Sequence, residues 1–136
     1  MPKPSPYFTE EHHAFRDQIR RFVEKEITPN IHDWDEANEV PRELYNRMGG
    51  LGFLGLGFPQ ELGGTPVDDG FYPIIFVEEL SRSGSGGIVA ALGSLGIGLP
   101  PILHAGSKEQ KERLIPPVLS GEKIAALAVT EPSGGS

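Results

Sequence analysis

Apolar residues near the start of the chain recur at the spacing of one face of an α-helix. They are separated by four, three, one and four positions, and they are Phe15, Ile19, Phe22, Val23 and Ile27. This is the period of an amphipathic helix with one buried stripe. The pattern therefore predicts a helix that begins after Phe8 and ends before Pro29.

The polar residues around this stripe predict how the helix begins and which face is solvated. Thr9 is placed as the N-cap, and Glu10 and Glu11 favour the positive end of the helix dipole. The opposite face mixes both signs of charge, which is typical of a solvated face. Its residues are Arg16, Asp17, Arg20, Arg21, Glu24 and Lys25. Because no carboxylate or Cys pattern surrounds His12 and His13, we expect both to be solvated surface histidines.

Shorter helical patterns follow. Pro41 suits the first turn of a helix that runs through Met48, and Trp34 before it is expected to pack over the first helix. A broad apolar pattern from Phe71 to Leu80 predicts another helix, which Asp68 or Asp69 can cap. Pro73 must lie in the first turns of that helix. Glu78 and Glu79 have no identifiable acid or base partner and are expected to be charges on the helix surface.

The segment 83–103 carries no charged residue and is long enough to span a bilayer. It is, however, rich in Gly and Ser, contains Pro100-Pro101, and lacks a basic flank that would set an orientation. We therefore expect a central helix, packed on every side, and no membrane span. Gly93, Ser94 and Gly96 allow either close helix packing or a groove for an apolar ligand. From the residues alone, packing is favoured.

The residues after Gly106 predict a helix followed by a strand. Ser107 and Gln110 form a predicted capping box, and Pro116-Pro117 stop the helix that follows it. After Gly121, the apolar run 125–129 reads as a buried strand that passes into a Ser/Gly turn. A lone strand leaves its ladder groups unpaired, so the chain is expected to be cut at the start of a second, β-rich domain.

Composition excludes several classes of function. The 136 residues suit one domain, and the absence of cysteine excludes disulfides, Cys-ligated metals and a thiol nucleophile. A net charge of −7 argues against nucleic acid or an anionic membrane as partner. The N-terminus has no signal-peptide core, so a cytoplasmic location is expected.

Gly50, Gly52 and Gly55 match the dinucleotide-binding pattern, but a helix precedes them where that motif needs a strand. A dinucleotide-binding fold is therefore rejected.

Residues 51–64, 106–113 and 127–136 form three ordered blocks, and these resemble segments of the acyl-CoA dehydrogenase family. Residues 127–136 are similar to its flavin-contacting T-E-P-x-x-G-S turn, residues 51–64 to its L-G-x-x-G-x-x-x-P-x-x-x-G-G loop, and residues 106–113 to its G-[ST]-x-E-Q-K-x-R helix start. Ser133-Gly134 stands where many members have Gly-Ala. The resemblance implies an all-α fold class: the N-terminal helical bundle of that family, ending in the first strand of a truncated β-domain. The implied domains are 1–122 (helical) and 123–136 (strand and flavin-contacting turn).

The resemblance also implies site residues. Residues implied to contact FAD are Leu127, Ala128, Val129, Thr130, Gly135 and Ser136. The corresponding helix in the family walls the fatty-acyl tail, which reverses the preference for packing. Residues implied to contact the acyl-CoA are Gly93, Ser94, Ile97 and Ser136. On composition alone, the terminal residues would instead read as a flexible Ser/Gly tail with no ligand. No metal site is expected.

The implied activity is α,β-dehydrogenation of an acyl-CoA thioester by a flavoprotein oxidoreductase of fatty acid metabolism. The family's base is a Glu in a C-terminal domain, so no catalytic residue is named, and the 136 residues alone are expected to be inactive. The implied partners are electron-transfer flavoprotein and further copies in a tetramer. The alternatives are an acyl-CoA oxidase or flavin monooxygenase of the same fold, or a non-catalytic helical interaction module that docks through its uncharged helix.

Overall fold

The computed structural model describes residues 5–134, and nearly all of the regular structure in this range is helical. The α-helices are α1 (Glu10–Phe22), α2 (Ile31–Ala37), α3 (Arg42–Gly50), α4 (Phe71–Ser81), α5 (Gly86–Gly93), α6 (Leu95–Ala105), α7 (Lys108–Leu114) and α8 (Pro116–Leu119). A π-helical stretch, Val23–Ile27, extends α1, and short 3₁₀ turns lie at Thr28–Asn30, Phe53–Gly55 and Gln60–Leu62. The predicted helical bundle is confirmed.

The first helix begins as its sequence predicts. The Thr9 hydroxyl accepts the backbone N–H of His12, and the His12 ring accepts the backbone N–H of Thr9 at 3.1 Å, which completes a capping box. The chain continues helically past Phe22 as a π-helical stretch and reaches Pro29 only in the following 3₁₀ turn. Proline is accommodated there because it lies at the start of a new turn.

Two hydrophobic clusters hold the helices together. The larger one joins the buried faces of α1 and α3 to residues of α4 and α5, and Trp34 packs against its edge as predicted. Its most deeply buried members include Ile19, Ile27 and Met48, each 0% exposed. The smaller cluster gathers around Leu99 and Ile115 near the C-terminal end. Helices α1 and α4 form the most extensive contact between helices.

Glu79 is buried, which corrects the prediction that it is a surface charge. Its side chain is 2% exposed, whereas that of its neighbour Glu78 is 51% exposed. Arg20 donates to both carboxylate oxygens of Glu79 at 2.9 Å, and Arg16 donates at 3.0 Å. Hydrogen bonding by Arg20, followed by that of Arg16, lowers the pKa of Glu79 against the opposing effect of burial. The predicted solvated face of α1 thus holds the cations that pair with α4.

His12 is also buried, so the prediction of a solvated histidine is wrong at this position. It is 3% exposed, and its Nε2 lies 3.1 Å from a carboxylate oxygen of Asp69. The rings of Phe71 and Tyr72 pack around the imidazole. His13, in contrast, is exposed as predicted. The aromatic residues that bury His12 lie some sixty positions away, which no local pattern reveals.

The glycine-rich loop after α3 is closed by its own backbone. Leu56 and Thr65 form an isolated parallel bridge, and the Thr65 hydroxyl donates to the carbonyl oxygen of Gly52 at 3.0 Å. Gly52 has a φ of +77°, and a β-carbon there would lie 2.7 Å from the Thr65 hydroxyl oxygen, so glycine is required. A helix precedes this loop and a 3₁₀ turn follows it, in agreement with the rejection of a dinucleotide-binding fold.

The uncharged segment forms two helices, α5 and α6, which are not packed on every side. Over Gly86–Ala105 the mean hydropathy reaches 1.7, so this stretch is long and apolar enough to cross a membrane by length and composition. Only 17% of the apolar window is buried, which contradicts the expected central helix. Leu99 faces the smaller cluster, but Ile97 on the outer face is 60% exposed. The described residues offer no second layer of structure to cover that face.

Within residues 5–134 the predicted strand after Gly121 is unpaired. Residues 124–130 are assigned to no helix or ladder, and Leu127 and Val129 are 57% and 73% exposed. An extended segment becomes a strand only when a neighbour supplies ladder hydrogen bonds, and none does so within residues 5–134. The division into domains 1–122 and 123–136 stays a prediction.

Candidate functional site

An apolar groove of about 210 Å³ opens between the glycine-rich loop, α4 and the junction of α5 with α6. Its walls carry no charged side chain, and they consist of Phe53, Leu54, Leu56, Phe58, Pro73, Phe76, Val77, Leu92, Gly93, Leu95 and Gly96. A surface of this chemistry favours a hydrocarbon ligand, since it offers few partners for polar or charged groups.

Two glycines at the helix junction, Gly93 and Gly96, line this groove. A β-carbon built at Gly93 or Gly96 would meet no other atom within 4 Å. Larger side chains at these positions would therefore extend into free space along the wall of the groove. Gly93, one of the predicted acyl contacts, lies in the lining, whereas Ser94 and Ile97 do not.

Ser94 makes a different contact from the predicted one. Its hydroxyl lies 2.8 Å from the carbonyl oxygen of Ala91, one turn earlier, and 2.9 Å from that of Ala125 in the terminal extended segment. The helix junction that borders the apolar groove is thus joined to the segment predicted to contact a flavin. Gly98 on the next turn also faces Ala125, since a β-carbon there would lie 3.2 Å from the Ala125 β-carbon.

Beyond Ala125 the terminal segment lies free along the surface. Residues 126–134 are exposed, and within the described range they make no hydrogen bond to the helices. The backbone groups of Leu127 to Thr130 are therefore available to an added ligand or strand. A turn closes at Glu131, whose carbonyl accepts the Gly134 N–H at 2.8 Å. Gly135 and Ser136, the remaining predicted flavin contacts, lie outside the described residues.

The groove residues from the loop and from α4 are missing from the sequence-based prediction. Phe53 and Phe58 belong to the loop, whereas Phe76 belongs to α4, eighteen positions beyond Phe58. The loop block at 51–64 was a signal for the family, but it did not indicate which side chains meet across the groove. Only the contact between the loop and α4 supplies that information.

A larger cavity, of about 360 Å³, lies on another face between α2, α3 and α5. Its lining includes Trp34, Asp35, Glu39 and Tyr45 and none of the predicted site residues. Volume alone would make this cavity the candidate site, but its carboxylates would repel a phosphate-bearing ligand and are unfavourable neighbours for a hydrocarbon. We assign the candidate site to the smaller groove on chemistry. Within residues 5–134 no group of three or more His, Asp or Glu side chains is arranged to hold a metal ion.

Comparison with known proteins adds independent findings. Residues 9–122 match the family model described as "Acyl-CoA dehydrogenase, N-terminal domain". A curated relative is the "Caffeyl-CoA reductase-Etf complex subunit CarC" of Acetobacterium woodii, 38% identical over 133 residues, which cover 96% of this chain and 34% of that protein. The chain therefore spans about a third of the length of this relative.

Solved structures resemble the fold along nearly the whole chain. A crystal structure of a putative acyl-CoA dehydrogenase from Mycobacterium smegmatis has a TM-score of 0.87 at 42% identity, over 96% of this chain and 34% of that one. An acyl-CoA dehydrogenase complexed with FAD from Bacillus anthracis has a TM-score of 0.80 at 33% identity, over 95% of this chain and 22% of that one.

Proposed function

We propose, from the premise that this chain belongs to the acyl-CoA dehydrogenase family, that it is the N-terminal helical part of an FAD-dependent enzyme. The enzyme would convert an acyl-CoA thioester to its trans-2-enoyl-CoA. One observation carries the proposal: Gly93 and Leu95 line the apolar groove, and Ser94 between them hydrogen-bonds to the terminal segment at Ala125, so a hydrocarbon site and a flavin site would be neighbours. An interaction module would not require this arrangement.

The residues divide into two roles in this proposal. Gly93, with the aromatic residues of the groove, walls the acyl tail. Ile97 stays a predicted acyl contact, but it lies outside the groove lining. Leu127 to Thr130 offer exposed backbone groups to the flavin, which fits a ring system that needs fixed hydrogen-bond donors. When bound, FAD supplies a two-electron acceptor for the hydride that leaves the acyl chain. Gly135 and Ser136 would serve the phosphates, and Ser136 also the acyl-CoA.

This chain's contribution is to bind and orient, and no residue in it is assigned as the catalytic base. The groove would shield one side of an acyl chain from water, and its walls would restrict how the chain is oriented. The 136 residues alone are expected neither to hold FAD tightly nor to turn over substrate. A turnover assay on the isolated chain tests this, and FAD-dependent acyl-CoA oxidation by it would contradict the proposal.

The decisive experiment uses the complete protein that contains this chain and replaces Gly93 with Leu. The added side chain would occupy the groove, so kcat/KM for long acyl-CoA substrates should fall about 10- to 100-fold relative to short ones. Gly86→Leu is the matched control, since a β-carbon at Gly86 also meets nothing within 4 Å but Gly86 lies outside the groove. Equal chain-length profiles for both variants, or a protein that cannot be reconstituted with FAD, would end the proposal.

A second candidate activity is the reverse reaction, reduction of an enoyl-CoA. The curated relative with 38% identity is named a caffeyl-CoA reductase subunit of a complex with Etf. That name also supports an electron-transfer flavoprotein as the redox partner in either direction. Mixing the reduced protein with an enoyl-CoA, and the oxidised protein with the acyl-CoA, would show which reaction proceeds faster. An acyl-CoA oxidase would differ from both by rapid reoxidation in oxygen.

We also propose that protein, and not lipid, covers the exposed face of α5 and α6 in the complete molecule. The two prolines and two glycines of α6 favour packing against other helices, as in a homotetramer. A cytoplasmic location is proposed because the N-terminal residues lack a signal-peptide core. Fractionation of cells that express the complete protein tests both points, since recovery only with membranes would contradict them.

A further inference from the structure

We propose that Ser94 is a positioning residue that fixes where the flavin-contacting segment leaves the helices, and that it is not an acyl contact. This inference rests on the proposed function, because it assumes that Leu127 to Thr130 bind FAD. It changes the role that the sequence resemblance implied for Ser94. It also identifies Gly98 as the residue that allows the same approach.

The hydroxyl of Ser94 lies between two carbonyl oxygens. The carbonyl oxygen of Ala91, at 2.8 Å, is three residues earlier in the chain and would be available to any serine at this position of a helix. The one of Ala125, at 2.9 Å, lies thirty-one positions further along the chain. A hydrogen bond of this kind has no role in forming α5 or α6, and its effect is to hold the terminal segment against their junction.

Ala125 is the last residue of the segment that the helices hold. It is half-buried against the smaller hydrophobic cluster, whereas residues 126–131 are all exposed and, in the described range, hydrogen-bond to nothing in the helical body. The direction of the following residues therefore depends on how Ala125 is seated. Displacement of a binding segment by about 1 Å is enough to weaken catalysis strongly, because binding and reaction both depend on alignment.

The close approach of Gly98 to Ala125 is a second observation that supports the same conclusion. A β-carbon at Gly98 would lie 3.2 Å from the β-carbon of Ala125 and 3.8 Å from the backbone nitrogen of Ala126. The first distance is shorter than an ordinary carbon contact, so Ala125 would have to shift by a few tenths of an ångström to admit a side chain at Gly98. The hydroxyl of Ser94 and the bare backbone of Gly98 thus act on one residue, Ala125.

The test compares Ser94→Ala with Ser81→Ala in the complete protein that contains this chain. Ser81 is the matched control, because its hydroxyl donates to the carbonyl oxygen of Val77 at 2.7 Å and reaches no distant segment. We expect the Kd for FAD to rise about two- to tenfold in Ser94→Ala and to stay unchanged in Ser81→Ala. The flavin absorbance bands should shift and kcat should fall, while the ranking of acyl-chain lengths by KM stays that of the wild type.

Ser94→Thr keeps a hydroxyl and should restore FAD affinity, which a role in packing alone would not predict. Gly98→Ala, compared with Gly86→Ala, should reproduce the loss of FAD affinity without removing a hydrogen bond. Thermal unfolding of each variant shows whether it folds. If Ser94→Ala does not fold, the comparison of Gly98→Ala with Gly86→Ala tests the inference. A change in acyl-chain preference with unchanged FAD affinity in Ser94→Ala would overturn the inference.

The wild-type protein separates this inference from the proposed function. If wild-type protein binds FAD and acyl-CoA reduces it, the proposed function stands, and unchanged FAD affinity in both Ser94→Ala and Gly98→Ala then overturns only the positioning role. If wild-type protein binds no FAD, the proposed function and this inference are both overturned.

Discussion

Helices α4 and α6 are both eleven residues long and mostly apolar, but they are buried to different extents. Helix α4 is held along α1 by the buried residues Ile75, Glu79 and Leu80. Helix α6 buries only Leu99 and leaves Ile97 60% exposed. Apolar content alone therefore does not decide burial. A helix is buried where another described element presents a complementary face, and α6 has such a partner on one side only.

This difference separates a supporting region from a binding region. The contact of α1 with α4 combines apolar burial with a carboxylate held by three arginines, one of which, Arg82, lies 3.4 Å from it. Phe76 and Val77 of α4 line the groove, so this part of its wall belongs to a helix that is held against α1. The junction of α5 with α6 supplies small residues and open space. Substitutions in the two regions should accordingly affect different properties.

The largest effect is expected when Glu79 is removed. In Glu79→Ala three arginines lose their common partner in a site where the carboxylate is 2% exposed. Breaking a buried ion pair from one side typically costs about 3–5 kcal/mol. The free energy of unfolding, measured by urea titration, should fall by this amount.

Glu78→Ala is the control for that experiment. Glu78 pairs with Arg16 at 2.7 Å but is 51% exposed, so its loss should cost no more than about 1 kcal/mol. Similar losses for the two adjacent glutamates would show that burial of Glu79 does not carry the contact between α1 and α4.

The same substitution in α4 and in α6 tests the comparison directly. Ile75 is 0% exposed, and Ile75→Ala should lower the free energy of unfolding by about 2–5 kcal/mol through lost burial and a cavity. Ile97→Ala should change it by no more than about 0.5 kcal/mol, because that side chain is already mostly in water. A large loss for Ile97→Ala in the isolated chain would mean that α6 is packed on both sides after all.

A smaller effect should appear with pH. Because the folded-state pKa of Glu79 is lowered from 4.5, its charge stabilises the fold fully above that value, and this stability is lost as pH falls through the lowered pKa. Glu79→Gln keeps the volume of the side chain but cannot ionise. The difference in unfolding free energy between wild type and Glu79→Gln should thus be constant near pH 7 and shrink below about pH 4. A difference that grows on acidification would contradict the assigned ion pairing.

Local sequence patterns predict where several of the helices begin. Thr9, Ser107 and Pro73 lie where capping and proline chemistry place them, because each acts on groups within four residues. The apolar stripe of α1 is buried as its period predicts. These features depend on neighbours along the chain, which the sequence displays directly.

Features that depend on distant partners could not be predicted in this way. Burial of His12 requires the rings of Phe71 and Tyr72, and burial of Glu79 requires two arginines of α1. The contact of Ser94 with Ala125 likewise depends on how the chain returns after α8. A resemblance to a family identified the region of the groove, but it did not assign the role of each side chain within it.

The smallest expected effect is the difference in stability lost between the capping box at Thr9 and the capping box at Ser107. Both Thr9 and Ser107 accept the backbone N–H three residues later, and in each the side chain three residues later returns the bond. Loss of such a cap costs about 0.5–2 kcal/mol. Thr9→Ala should lie at the upper end, because His12 is 3% exposed and also binds Asp69 before α4, whereas the box at Ser107 and Gln110 is exposed. Amide hydrogen exchange at the start of α4 checks this coupling: it should accelerate in Thr9→Ala and stay unchanged in Ser107→Ala. Equal exchange in both variants would show that the box at Thr9 acts only on its own helix.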